Sequence, residues 1–458
     1  MNKKSLIIVF LLFLTVEIFA QNENSEIFKD KDRICFVGNS ITHGGFYHSY
    51  INLFYLTRYP DLDLRVYNCG ISGNVVPGGI KRAQDDILSN NPSVITIMFG
   101  MNDIAGGNYV ENPTPEIYDQ RKESIRKYKN NIDTLTDILT AKGARLIYFT
   151  PTIYDETSEM DVPNNTGRNE ELAKCRKIIL AKGKETGFPV VDFYTILDSL
   201  NEVLQKDDPR FTIVGRDRVH PGVDGHFVMA YQFLKRQSVD PYVSKIEIDA
   251  KTMIPGNCYR SRIMDILSTQ NGLAFSCRED ALPFPVPENL SALNWVPFMD
   301  MNIELLTVSN LPKAEYLLKI DNTVIDTFTN EALSKGVNLA KYSYTPQYKQ
   351  AKILSDVNEW RRDLEANRLR TLALYDYGWF NNDKNLSMAD RIEIFDEKFE
   401  TVKEKPYYGY LRNQADNYIL FKPLENSSKK LLEDINASLN VLNQPVAHKF
   451  SVEKIVPE

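Results

Sequence analysis

Four short segments hold residue types that could share one piece of chemistry. In Val37-Gly38-Asn39-Ser40-Ile41-Thr42 a serine leaves an apolar run through a glycine-containing turn, where a nucleophile would be presented. Asn68-Cys69-Gly70-Ile71-Ser72-Gly73-Asn74 carries two glycines that let backbone N–H groups approach a ligand. In Phe99-Gly100-Met101-Asn102-Asp103 the Asn102 amide could aim an N–H at a developing negative charge. In Asp217-Arg218-Val219-His220-Pro221 an aspartate three residues before a histidine could fix one imidazole tautomer, leaving the other nitrogen to take a proton from a serine. Taken singly, each has a plain alternative: a helix cap, a tight turn, an Asx turn, surface polarity. The first segment also lacks the second glycine of a Gly-x-Ser-x-Gly elbow, since Thr42 stands there.

The elements that must position these residues follow from the apolar pattern. Runs at 34–37, 64–67, 94–99, 144–149 and 189–191 are rich in Val, Ile and Phe and read as buried strands. Helical patterns at 46–57, 79–88, 116–141, 169–184, 193–204 and 225–237 alternate with them. The alternation predicts an α/β fold with a parallel sheet covered by helices on both faces, its ligand site at the carboxyl ends of the strands. The first three segments each follow a strand and the fourth precedes the last helix, so all four should meet on one rim. After Asp240-Pro241 the texture changes. Strands are expected at 245–248, 273–276 and 303–308, a hairpin at 316–328 around Asp321-Asn322, and helices at 347–372 and 424–442. The expected organisation is a leader over 1–20, a catalytic domain over 30–240, and an α+β portion over 241–458 with strands first and helices after.

In this order, the four segments resemble the blocks of the SGNH hydrolases, also called the GDSL family. The resemblance rests on Gly38-Asn39-Ser40-Ile41, Gly70-Ile71-Ser72-Gly73, Gly100-Met101-Asn102-Asp103 and Asp217-Arg218-Val219-His220-Pro221, and covers about residues 30–240. It implies a flavodoxin-like sheet and a serine esterase in which Ser40 is the nucleophile, His220 the base and Asp217 its orienter. It further implies an oxyanion hole from the N–H of Ser40, Gly73 and Asn102. Asn39 departs from the aspartate the family often has there, which bears on loop geometry more than on chemistry. Acyl transfer of this kind requires no metal or organic cofactor.

Other histidines and aromatics have competing readings. His43 could touch substrate or fill the loop; His48 and His226 suit helix packing; Ser72 is a rival nucleophile whose place suggests loop shaping. The aromatic runs 375–380 and 407–410 could stack on sugars, though packing fits better, and the charged run 397–405 reads as a solvated face.

Bulk properties narrow the partners. The chain has 458 residues, enough for two or three cores, and 43% hydrophobic with 25% charged residues argues against disorder. A net charge of -7 with no basic stripe disfavours nucleic acid. Lys3 and Lys4, an apolar stretch over 6–16 and Ala20 read as a secretory leader cleaved near Ala20, too short for a comfortable membrane span; a periplasmic or extracellular destination follows, with no stable membrane insertion. Five cysteines leave at least one unpaired, with Cys258 and Cys277 the candidates for a bridge. Secretion disfavours coenzyme A thioesters, and no lid-like amphipathic segment favours a lipase. The expected substrate is an acylated carbohydrate, above all an O-acetyl group, or another small ester; the alternatives are a lipid-acting esterase and a catalytically silent glycan-binding protein.

Overall fold

The computed structural model describes residues 28–104 and 109–455, so the leader expected over 1–20 lies outside the described residues. The five apolar runs form strands β1 (Arg33–Gly38), β2 (Arg65–Gly70), β3 (Val94–Met98), β4 (Arg145–Phe149) and β5 (Val190–Val191). They pair in parallel in the order β2-β1-β3-β4-β5, flanked by helices. β3 is buried along its whole length, which is why it reads as an unbroken apolar run rather than an alternating one. The chain leaves β1 for β2 on one side and reaches β3 on the other. That reversal opens a crevice at the strand ends, and the loops carrying Ser40, Gly73 and Asn102 start there. Helices Phe46–Arg58, Pro115–Thr140, Arg168–Thr186, Phe193–Gln205 and Val223–Arg236 match the expected ones within three residues at each end. The segment expected as one helix over 79–88 is instead a helix Val76–Lys81 followed by a π-helical turn Ala83–Ile87. The break falls where the side chains of Arg82 and Asp86 pair inside the protein.

Contacts gather the chain into two units. Of the described residues, one holds those up to Tyr50, Leu64–Arg236 and Trp360–Asp434; the other holds Ile51–Asp63, Gln237–Glu359 and those from Ile435. The units are interleaved along the sequence rather than divided at 240/241. Residues 360–434 therefore pack with the parallel sheet's unit, which the sequence left open. Helices Arg370–Gly378, Met388–Val402 and Tyr408–Phe421 share a core of Leu372, Tyr375, Phe395, Phe399 and Tyr418, with Trp379 and Tyr408 packed against it. The aromatic run 375–380 is thus mostly packing, whereas in 407–410 only Tyr408 joins this core and Tyr407 and Tyr410 stay about half exposed; the charged stretch after 397 is partly the outer face of a helix whose Phe395 and Phe399 point inward.

The second unit contains a mixed sheet, order β13-β10-β6-β7, and an antiparallel one, order β12-β11-β14-β9-β8. Here β6 is Tyr242–Asp249, β7 Ile254–Pro255, β8 Ser261–Thr269, β9 Gly272–Glu279, β10 Ile303–Ser309, β11 Glu315–Ile320, β12 Thr323–Thr329, β13 Val337–Asn338 and β14 Ala447–Lys454. Ile246, Val308, Phe275, Leu318 and Phe450 from the two sheets share one core. The expected order of strands first and helices after is corrected by β14, which follows the last helix and pairs between β11 and β9. The hairpin turns at Asp321 and Asn322, both with positive φ, as expected. All five cysteines are free thiols, so Cys258 and Cys277 are unbridged.

This unit buries two carboxyls together. Gln347 donates to Glu279 Oε2 (2.9 Å) and Glu304 Oε1 (3.1 Å), and Ser244 hydroxyl bonds Glu279. Burial raises both carboxyls' pKa, and the neighbouring Glu279 raises Glu304 further. Two adjacent buried carboxylates cannot both ionise, so the folded pair holds a proton. A raised folded pKa gives stability that is complete below the unfolded glutamate value of about 4.3 and is lost as pH rises through the folded value. The loss is at most about 1.4 kcal/mol per pH unit. Glu304→Gln needs no such proton. Its melting temperature should therefore gain on the wild type steadily from pH 5 to pH 8, and parallel curves would refute the shared proton.

Candidate active site

The site is built by close backbone approach at the strand ends. A Cβ on Gly38 would collide with Thr42 Oγ1 and Met98 O, and one on Gly70 with the backbone of Thr42 and His43. The turn after β1 therefore lies directly on the ends of β2 and β3. In that turn Asn39 caps a short helix, Ser40–His43, its side chain accepting from the Ile41 N–H (3.2 Å). Asparagine serves here as aspartate would, because the cap needs only an acceptor oxygen.

Ser40 Oγ lies 2.7 Å from His220 Nε2, and His220 Nδ1 lies 2.5 Å from Asp217 Oδ2. Asp217 also accepts from the N–H groups of Val219 and His220, both at 3.0 Å. Burial raises this carboxyl, but the His220 ring and the two N–H groups outweigh it and hold Asp217 at about 2. A carboxylate that stays charged accepts from Nδ1–H and leaves Nε2 unprotonated toward Ser40. The side chains of Ser40, His220 and Asp217 thus form one continuous hydrogen-bonded line.

Gly73 has φ +74, and a Cβ there would meet nothing within 4 Å, so the loop is open on that side. Asn102 donates one amide proton to Asn74 O (3.1 Å), which ties the third segment to the second and leaves its other proton for a ligand. Ser72, the rival nucleophile, is bonded to His43 and Tyr410 rather than to His220. His48 stacks on Phe36 and donates to Thr42 O; buried His226 stacks parallel to Tyr47. Both are structural, as expected.

Three supports were not read from the sequence. Arg218, at φ 63, is buried and spreads its guanidinium over the carbonyls of Asp155, Ser158, Met160 and Pro163, fixing the turn that carries Asp217 and His220. Its place inside the Asp-x-x-His segment was the only signal. Asp103 accepts from Val76 N–H (2.7 Å) and Gly100 N–H (2.9 Å), joining the third segment to the start of the helix that follows the second; burial pushes it up to about 6 against the pull of those N–H groups. Asp86 is paired with Arg82 and Arg370, whose guanidinium groups donate to the carbonyls of Gly38 and Gly70 at the β1 and β2 ends.

A sequence model of the GDSL-like lipase/acylhydrolase family matches residues 36–227. A gut microbial diltiazem-metabolizing enzyme of known structure, BT4096, is 32% identical, with a TM-score of 0.84 over 94% of this chain and 99% of that one. This chain belongs to the GDSL-like lipase/acylhydrolase family. An acetylxylan esterase from Geobacillus stearothermophilus is 27% identical over 219 residues, 44% of this chain and 93% of that protein. The acylhydrolase is accordingly a carboxylic-ester hydrolase. Its likeness to the diltiazem-metabolizing enzyme runs well beyond residues 36–227, so the additional segments belong to the shared architecture. Among the described residues, no helix of this acylhydrolase is long and apolar enough to cross a membrane.

Proposed function

We propose that this acylhydrolase removes O-acetyl groups from a carbohydrate or a similar small oxygen-rich acceptor, using Ser40, His220 and Asp217. The observation that carries the reading is the continuous line from Ser40 Oγ through the His220 ring to Asp217, at 2.7 and 2.5 Å. His220 Nε2 takes the Ser40 proton as Oγ attacks the ester carbonyl carbon. The N–H groups of Ser40, Gly73 and Asn102 receive the oxyanion. His220 then gives the proton to the departing alcohol, leaving acetyl-Ser40. Water attacks this ester, its proton goes to His220, and acetate leaves as Ser40 regains a proton. The acetyl preference draws on one relative, which is an acetylxylan esterase. The basic and apolar start of the chain supports export, which would bring the site to polymeric glycans.

A pocket shaped for acetyl meets each added methylene with a wall, and overpacking costs about 1–3 kcal/mol. Nitrophenyl acetate should be cleaved at least about 10-fold faster than the octanoate, and acetate should be released from acetylated xylo-oligosaccharides. Faster octanoate turnover with no acetate release would instead make it a lipid-acting esterase.

A further inference from the structure

His43 is the buried residue that ties the nucleophile's turn to the loop bearing Gly73. Its Nδ1 faces Ser72 twice, 3.1 Å from the N–H and 3.2 Å from Oγ, while Nε2 lies 3.1 Å from the carbonyl oxygen of Ala366. A carbonyl only accepts, so Nε2 carries the proton and Nδ1 is the acceptor. Ser72 hydroxyl in turn accepts from Tyr410, whose OH lies 3.3 Å away. Ala366 sits in a π-helical turn, Glu365–Leu369, and Tyr410 in the helix Tyr408–Phe421. Both lie outside the residues matched by the family model. π-turns inside helices are frequent at functional sites.

The same turn holds the neighbouring backbone. Glu365 Oε1 accepts from Asn68 N–H (2.8 Å), and Arg370 Nε donates to Gly70 O (2.9 Å). Within the loop, Ile71 N–H donates to Gly38 O (3.1 Å) and Asn74 N–H to Ile71 O (3.0 Å). The Ser72 bond to His43 is thus the one that ties the residue directly before Gly73 to the nucleophile's own turn.

We propose that His43 is the positioning residue of the oxyanion loop, oriented by Ala366 and assisted by Tyr410, so that the helical segment 360–434 is a working part of the ester site. The neutral ring suits this role: burial, with Arg370 and Arg82 nearby, lowers His43 to about 3 against the opposing pull of the Ala366 carbonyl, so Nδ1 stays an acceptor at any assay pH. His43 meets no reacting atom; it acts through the N–H of Ser72 on the adjacent Gly73. The inference rests on the reading of Ser40 as nucleophile and Gly73 as oxyanion donor.

The test is a set of replacements assayed with nitrophenyl acetate well below each variant's melting temperature. His43→Ala should lower kcat about 100-fold, the loss typical of one misplaced oxyanion donor, with KM within about threefold. Asparagine places an oxygen where Nδ1 was, and glutamine places its amide near Nε2. His43→Asn should therefore turn over at least about 10-fold faster than His43→Gln, an order that general damage to packing does not predict. Tyr410 is 47% exposed, so Tyr410→Phe should fold normally and lose about three- to tenfold in kcat. Wild-type kcat in His43→Ala, or equal turnover in the asparagine and glutamine variants, would overturn the proposal. If the His43 variants do not fold, unchanged kcat in Tyr410→Phe overturns it. Ser40→Ala separates the two levels: full activity there removes the underlying reading, whereas a dead Ser40→Ala beside normal His43 variants removes only this one.

Discussion

Ser40→Ala will lose turnover of nitrophenyl acetate by about 10⁴-fold or more while melting at the wild-type temperature. On the proposed mechanism, removing Oγ deletes the atom that attacks the carbonyl. It strands only the half-exposed His220 ring, which water can satisfy, so the fold has little to lose. His220→Ala should fall to a similar residual rate, and the double variant no further, because the two act as one unit. Asp217→Asn is the more diagnostic change. Its amide can donate to Nδ1 and so favour the tautomer with the proton on Nε2, the nitrogen that must be bare to accept from Ser40. A loss of about 10²- to 10⁴-fold in kcat with unchanged KM is expected. Because Asp217 is held at about 2, it stays ionised through any ordinary assay. Wild-type activity in Ser40→Ala would move the chemistry elsewhere and end the triad reading.

What the sequence made legible was local. β1 to β5 are short apolar runs because both faces of a parallel sheet are covered, and the segments carrying Ser40, Gly73 and Asn102 follow their strands within a few residues. The segment 217–221 follows no strand and was marked instead by its place just before the helix Val223–Arg236. The missed strand β8 has Met264 and Leu267 half or more exposed, and a break in register between Ile263 and Asp265 interrupts the alternation that would mark Ile263 and Ile266 as its inward residues. β14 does alternate, with His448, Phe450 and Val452 inward, but it pairs with strands more than a hundred residues away. The helix Met388–Val402 had a readable start, a capping box between Ser387 and Asp390, masked by its charged outer face. The supports of the site were illegible for a different reason. Ala366, Arg370 and Tyr410 stand about 300 residues or more from the loops they hold, and nothing in their own neighbourhood marks them.

Arg370 offers the sharpest measure of how far that distant segment is part of the acylhydrolase. Its guanidinium grips Asp86 with both ends, at 2.7 and 2.8 Å, and its Nε holds Gly70 O at 2.9 Å. Arg82 takes the same carboxylate at 2.5 Å and also reaches Asn74. Burial raises Asp86, but the two arginines outweigh it and hold it at about 2. Arg370→Met keeps much of the volume but leaves a buried carboxylate with one partner and a strand-end carbonyl without its donor. Breaking one side of a buried pair costs about 3–5 kcal/mol. The pH dependence has a definite sign. A depressed folded pKa gives stability that is full above the unfolded aspartate value of about 3.9 and is lost as pH falls toward 2. The deficit of Arg370→Met against wild type should therefore be largest near neutrality and shrink below pH 4. Arg370→Lys keeps the charge but not the two-pronged grip and should fall between them. Denaturant unfolding at pH 7 and pH 3 measures all of this. A loss under about 1 kcal/mol at both values would mean that Arg370 is a surface tether and the 360–434 helices a detachable appendage. A large loss at pH 7 that shrinks at pH 3, accompanied by slower ester turnover in the folded variant, would mean that the floor under the oxyanion loop is built by the far end of the chain.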